Sequence, residues 1–97
     1  MTALIWSPQA QRDLDSIRAY ITKDSARYAE LVVQRIIGGV ERLALFPESG
    51  RVVPERGDRA IREVIVDVYR VVYRYRGQAA EIVTVFRGSR AFPSSLE

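Results

Sequence analysis

The stretch VYRVVYRYR, residues 68–76, decides the fold of the second half of the chain. β-Branched and aromatic residues dominate it, which predicts a β-strand. Because successive side chains of a strand point to opposite faces, one face should pack in the core and the other should carry a row of cations. The predicted core face holds Tyr69, Val71, Tyr73 and Tyr75, and the predicted cationic face holds Arg70, Val72, Arg74 and Arg76.

Two further strands flank this stretch. Residues 60–66 and 81–87 are rich in valine and isoleucine, and each is separated from the 69–75 strand by a tight turn. Such spacing predicts antiparallel hairpins. Upstream, PESGRVVPERGD at residues 47–58 is a polar, turn-rich connection.

The first half of the chain is predicted to be mainly helical. A short strand at residues 3–6 precedes Ser7-Pro8, a typical helix start. We expect Asp13 and Asp15 to be favourable charges in the first turn of a helix. A second helix, capped by Asp24 or Ser25, should run to about Leu45. The pair Gly38-Gly39 inside it suggests close approach of another backbone. The first apolar stripe is Ala10, Leu14, Ile17 and Ile21, and the second is Ala29, Val32, Val33, Ile36, Ile37, Val40, Leu43 and Ala44.

These elements predict an α+β fold in the order β-α-α-β-β-β. We expect residues 1–97 to form one domain, in which a helical hairpin packs on one face of a small antiparallel sheet. The first strand should pair with the later sheet, since alone it has no neighbour. The second sheet face should remain open to solvent.

The excess positive charge lies in the second half of the chain. The net charge is +3, and residues 51–97 hold nine arginines against six acidic residues. Lys23 is the only lysine. Arginine binds phosphates, carboxylates and aromatic faces well, although arginine-favouring codon usage would explain the same bias.

Two missing residue types narrow the classes of function. The chain has no cysteine and no histidine, so it lacks thiolate ligands and the commonest general base at neutral pH. We therefore expect no metal and no cofactor. No apolar run reaches membrane-spanning length, and the start lacks the plan of a signal peptide, which predicts a soluble cytoplasmic protein without membrane contact.

The arginines of the sheet are the candidate binding residues. If they gather on its open face, they form a positive field for RNA, DNA or an acidic protein segment. The alternative is a solvated face with cross-strand Arg–Glu pairs, for which Glu63 is available. Glu55 is a loop carboxylate that could serve as a general base. The proposed binding set is Arg62, Arg70, Arg74, Arg87 and Arg90.

Four segments carry a family resemblance. WSPQAQRDLDSIRAYI at 6–21, LFPESGRVVPE at 45–55, IREVIVDVYRVVYRY at 61–75 and TVFRGSR at 84–90 resemble, in order and spacing, the RelE/ParE toxin superfamily. These are small toxins of bacterial toxin–antitoxin pairs, including plasmid stabilisation proteins. The resemblance implies the fold derived above.

The superfamily implies two activities. RelE-like members cleave mRNA on the ribosome, whereas ParE-like members poison DNA gyrase. Arg70 matches the strand arginine that RelE-type enzymes use at the scissile phosphate. Arg90 approximately matches their second arginine, and Arg62 lies near their catalytic lysine.

Two departures favour the ParE-like branch. The RelE-type C-terminal tyrosine has no counterpart here, and the histidine of related nucleases is missing, with Arg87 and Gly88 in its neighbourhood. The resemblance thus implies a gyrase-binding toxin, rather than an enzyme, in a hetero-oligomer with a ParD-like antitoxin. The alternative is a ribosome-dependent mRNA endoribonuclease using Arg70, Arg90, Arg62 and Glu55.

Overall fold

Two helices pack against one face of a five-stranded sheet in the computed structural model, which describes residues 1–94 and 96. A 3₁₀ turn at Arg42–Ala44 continues the second helix. The elements are β1 (Ala3–Trp6), α1 (Pro8–Thr22), α2 (Ala26–Glu41), β2 (Arg51–Val52), β3 (Ile61–Val66), β4 (Tyr69–Arg76) and β5 (Ala79–Arg87).

The strand order is β1-β5-β4-β3-β2. Strands β2 to β5 pair with their neighbours in antiparallel fashion, and β1 pairs with β5 in parallel. The predicted α+β class with a helical hairpin on the sheet is confirmed. The sheet is mixed rather than wholly antiparallel, because the hairpin returns the chain to the far edge from β1. Strand β2 was not predicted, since two residues are too few to show an alternating pattern.

Serine side chains start both helices. The Ser7 hydroxyl accepts a hydrogen bond from the N–H of Ala10 at 3.0 Å, and the Ser25 hydroxyl accepts one from Tyr28 at 3.0 Å. Each bond satisfies a backbone donor that the helix itself leaves unpaired. The prediction for Asp13 and Asp15 is wrong, because α1 begins at Pro8 and its first turn contains no acidic residue.

The main core lies between the helices and the face of β4 that carries the tyrosines. Its fully buried members include Ile36 of α2 and Tyr73 of β4. The predicted close approach of another backbone at the glycine pair is wrong, because it is a side chain that approaches Gly39: a Cβ atom there would lie 2.8 Å from Cγ2 of Val66. At Gly38 the same atom would meet nothing within 4 Å. Only Gly39 is therefore explained by packing.

The second face of the sheet is covered, which corrects the prediction of an open face. Val72 and Phe86 lie there with Val53 and Ile61 in a smaller apolar cluster. The connection between β2 and β3 supplies Val53, and the segment after β5 adds Phe92 and Leu96. The reason is that β5 carries a large aromatic residue on this face, so leaving it open would expose apolar surface to water.

No helix within residues 1–94 combines the length and the apolar character needed to cross a membrane.

Candidate partner-binding surface

Arg70, from the middle of the β4 stretch, is buried and held by two carboxylates. Its Nε–H donates to Glu63 Oε1 at 2.6 Å. Its Nη1 and Nη2 groups donate to the two oxygens of Glu55 at 2.9 and 2.8 Å. The bond to Glu55 is a bidentate fork, the strongest geometry for a guanidinium and a carboxylate. The charge of Arg70 is therefore neutralised within the chain.

Glu63 anchors this network from inside the protein. Its side chain is fully buried, and its second oxygen accepts a hydrogen bond from Arg51 Nε at 2.6 Å. A buried carboxylate is costly unless its oxygens are paired. The two arginines supply that pairing, which explains how an acidic residue can occupy a buried position of β3.

Two phenylalanine rings complete the surroundings of Arg70. Its guanidinium carbon lies 5.4 Å from the ring centroid of Phe86 and 5.2 Å from that of Phe92. The two rings meet edge to face, with centroids 5.8 Å apart. Aromatic faces attract a guanidinium and shield it from water. Arg70 thus contacts both the smaller apolar cluster and the two carboxylates with which it forms ion pairs.

The pairing with Arg70 changes the chemistry of Glu55. The hydrogen bonds from Arg70 are the main cause that lowers the pKa of Glu55 from 4.5 to about 2. The same bonds raise the pKa of Arg70 above its ordinary value. A carboxylate with so low a pKa is a weak base at neutral pH. This environment disfavours the general-base role considered for Glu55.

Arg62 does not share a face with Arg70 and Arg74, which corrects the predicted arrangement. It pairs with Tyr73 across the β3–β4 ladder, so its side chain lies on the face that carries the helices. Its guanidinium donates to the backbone carbonyls of Glu48, Gly50 and Arg59. Arg62 therefore secures the loop before β2.

Arg74 lies on the same face as Arg70 and also has an internal partner. Its Nη1 donates to Glu81 Oε1 at 3.2 Å, across the β4–β5 ladder. Arg70 and Arg74 thus form the Arg–Glu pairs that were the alternative to a positive field on this face. The assignment of these arginines to partner binding stays a prediction.

Arg87 and Arg90 remain exposed beside a groove. Arg87 pairs with Tyr69 across the ladder and so lies on the helical face. Arg90 follows in a turn in which its N–H donates to the Arg87 carbonyl at 3.0 Å. Within residues 1–94, neither side chain forms an ion pair. We name this feature the α1–β5 groove; it has a volume of about 400 Å³ and is lined by Asp13, Ser16, Ile17, Tyr20, Tyr69, Val85, Phe86, Arg87 and Arg90.

Asp13 closes the inner wall of the α1–β5 groove. Its Oδ2 accepts hydrogen bonds from the Thr84 hydroxyl at 2.6 Å and from the Val85 N–H at 2.9 Å. Strand β1 ends at Trp6, opposite Ile82, so beyond that point no strand within residues 1–94 lies beside the β5 edge. Asp13 satisfies part of that edge. The chain separation of 71 residues between Asp13 and Thr84 left no local signal in the sequence.

Comparisons with known proteins agree on one family. Residues 4–92 match the family model described as "ParE toxin of type II toxin-antitoxin system, parDE". A curated relative, "Putative toxin Y4kP" of Sinorhizobium fredii, is 39% identical over 92 residues, covering 94% of this chain and 93% of the relative. The solved structure "Chromosomal ParDE TA system from P. aeruginosa" matches with a TM-score of 0.74 and 24% identity, over 90% of this chain and 96% of that one. This last likeness concerns the fold.

Proposed function

Because the chain belongs to the ParE toxin family of type II toxin–antitoxin systems, we propose that it inhibits DNA gyrase by binding. We further propose that a ParD-like antitoxin neutralises it in a hetero-oligomeric complex. The proposal places the protein in the bacterial cytoplasm, where gyrase acts.

The environment of Arg70 is the observation that carries the preference for binding over catalysis. RNA cleavage needs a base for the 2′-hydroxyl, a cation at the phosphate and an acid for the leaving oxygen. By the resemblance described above, Arg70 matches the phosphate-binding arginine of RelE-type enzymes, yet two carboxylates already bind it. A phosphate would have to compete with both.

The titratable groups that could transfer a proton also support binding rather than turnover. Glu55, with a pKa of about 2, is a weak base at neutral pH. Burial raises the pKa of Tyr73, whose hydroxyl donates to the Pro47 carbonyl at 2.7 Å. Neither group is suited to moving a proton at neutral pH. Cleavage of ribosome-bound mRNA is therefore the alternative outcome of the test below rather than a second proposal.

The α1–β5 groove is the surface that we propose for the antitoxin. Arg87 and Arg90 present two cations that form no ion pair within residues 1–94, and they lie beside Tyr20, which is 66% exposed. Opposite charges across an interface favour encounter and fix the register of the partners. An acidic segment with an apolar anchor fits this combination: carboxylates would meet the arginines, and the anchor would cover Ile17 and Tyr20.

A gyrase assay tests the function directly. Purified gyrase, relaxed plasmid and ATP are incubated with increasing amounts of the protein, and both supercoiling and double-strand cleavage are measured. We expect lost supercoiling or accumulated breaks, with reversal by the antitoxin. A topoisomerase I relaxation assay controls for direct effects on DNA. If folded protein at large molar excess leaves gyrase unaffected but cleaves mRNA on ribosomes, the gyrase proposal is wrong.

A further inference from the structure

A second groove lies beside β3, and β4 separates it from the α1–β5 groove, which lies beside β5. It has a volume of about 360 Å³ and runs between α2 and the end of β3. We name it the α2–β3 groove. It is lined by Arg35, Gly38, Gly39, Arg42, Ile65, Val66 and Asp67.

The β3 side of this groove has an unpaired strand edge. Strand β2 pairs with β3 only at Arg62 and Glu63. Ile61 turns its carbonyl toward the β2 side, where it accepts the N–H of Val53 at 3.1 Å. Because backbone groups alternate along a strand, the N–H and C=O of Ile65 point to the same side. Within residues 1–94 no strand pairs with that side of Ile65, and its side chain is 54% exposed.

Gly38 forms the floor on the α2 side. A glycine inside a helix costs about 1 kcal/mol relative to alanine. At Gly39 the contact with Val66 requires the missing side chain, whereas a Cβ at Gly38 would meet nothing within 4 Å. Packing among the described residues, 1–94 and 96, thus gives no reason for Gly38. Its absent side chain instead leaves room for another backbone to approach the helix.

Arginines flank Gly38 along the same helix face. Arg35 and Arg42 stand three residues before and four residues after it, the spacing that places side chains next to one another. Within residues 1–94 Arg42 forms no ion pair. Arg35 contacts Asp67 at 3.3 Å, and both side chains are about half exposed. A pair so exposed contributes less than about 1 kcal/mol and is readily exchanged for another carboxylate.

We propose that the α2–β3 groove binds an extended acidic peptide segment of a protein partner as an added strand on β3. The backbone of the segment bonds to the N–H and C=O of Ile65, its carboxylates pair with Arg35 and Arg42, and its chain passes over Gly38. Addition of a strand to a sheet edge is a general mode of peptide recognition, in which backbone bonds give affinity and side chains give specificity. The proposal does not depend on gyrase inhibition.

The test begins with a random dodecapeptide phage library selected on the folded protein. The enriched sequence is synthesised, its affinity is measured by calorimetry, and its site is mapped by backbone amide NMR shifts. Two variants test the groove. Gly38→Leu fills its floor with a residue that also favours a helix, and Arg35→Glu/Arg42→Glu reverses its charge. Arg27→Glu is the control for reversal of an exposed charge elsewhere, because Arg27 is exposed on α2 away from the groove. Circular dichroism checks that each variant is folded.

We expect enriched peptides in which acidic and β-branched residues alternate, with the largest shifts at Gly38 and Ile65. Gly38→Leu should weaken binding about tenfold, the charge-reversed variant about 100-fold, and Arg27→Glu by little, since each tenfold step is about 1.4 kcal/mol. The proposal is overturned if no acidic peptide is enriched or if folded Gly38→Leu binds as tightly as the unmodified protein. Shifts confined to the α1–β5 groove would overturn it as well.

Discussion

The Nε–H of Arg70 donates to Oε1 of Glu63 at 2.6 Å, and the Glu63 side chain is fully buried. This pair links β3 to β4 on the face away from the helices. A buried carboxylate with its arginine removed is an uncompensated charge in a poorly hydrated site. Arg70 is therefore a residue on which the fold depends, whatever contact it makes with a partner.

Replacing Arg70 by methionine tests that conclusion. Methionine keeps an apolar stem against Phe86 and Phe92 but leaves Glu63 with Arg51 as its cation. We expect a loss of about 3 kcal/mol in the free energy of unfolding, measured with urea. Arg74→Met is the control and should cost less than about 1 kcal/mol, since its pair with Glu81 is partly exposed. Equal effects of the two substitutions would contradict the assignment.

Glu55 should make the stability depend on pH in the acid range. Its pKa is lowered to about 2 in the folded protein, so its contribution is complete above its unfolded value of 4.5 and is lost as the pH falls toward 2. The difference in unfolding free energy between the unmodified protein and Glu55→Gln should stay constant above about pH 5 and shrink below it. Glu41→Gln, whose carboxylate forms no ion pair within residues 1–94, gives the background. A difference that persists unchanged down to pH 2 would refute the pairing.

Arg70→Lys separates a structural arginine from a catalytic one. Lysine keeps the charge but lacks the planar fork that binds Glu55 at two points. At temperatures below its melting temperature, the variant should inhibit gyrase at a concentration within a few-fold of that needed for the unmodified protein. A nuclease that uses Arg70 at the phosphate would instead lose orders of magnitude in its rate of mRNA cleavage. Parallel measurement of both activities gives the answer.

Reversing the charges of Arg87 and Arg90 should weaken antitoxin binding. For Arg87→Glu/Arg90→Glu we expect the affinity for the antitoxin to fall about 100-fold at low salt, because two charge pairs are lost. The loss of affinity should be smaller at high salt. Surface plasmon resonance with the co-expressed antitoxin measures both. Arg27→Glu/Arg59→Glu makes the same change in net charge at exposed positions elsewhere and should have little effect. Comparable losses in the two variants would place the contact outside the α1–β5 groove.

The two glycines of α2 should respond to alanine in opposite directions. Gly38→Ala should raise the melting temperature by several degrees, because it adds about 1 kcal/mol of helix propensity in open space. Gly39→Ala should lower it, because the new Cβ would press on Val66 at 2.8 Å and overpacking costs about 1–3 kcal/mol. Thermal unfolding followed by circular dichroism distinguishes them. A stabilising Gly39→Ala would show that β3 can move away from the helix.

Strong local patterns in the sequence were sufficient for much of the fold. The alternation in β4 placed Tyr69, Val71 and Tyr73 in the main core, as the structure confirms. Ser7 marked the start of the first helix, and of the two caps predicted for the second helix, Asp24 and Ser25, the structure has Ser25. These signals act over a few residues, where backbone geometry fixes which side chains share a face.

The surroundings of the arginines depended on contacts that the sequence does not encode locally. In β3 the side chains of both faces are partly apolar, so alternation alone could not assign Arg62 to a face. The register that places Arg62 opposite Tyr73 assigns it to the helical face. Arg70 and Glu55 are 15 residues apart and meet only because the loop after β2 folds back over the sheet. The five candidate arginines thus have four different surroundings: Arg70 is buried, Arg74 pairs with Glu81, Arg62 holds a loop, and Arg87 and Arg90 are exposed.

The parallel pairing of β1 with β5 constrains how this protein is made. Strand β1 is synthesised before the other strands described, yet its partner is β5, the last strand within residues 1–94, and the Ser7 hydroxyl donates to the Val83 carbonyl across 76 positions. Contacts between such distant residues form late, because the intervening chain must be ordered first. The nascent toxin therefore cannot complete its sheet until β5 has left the ribosome.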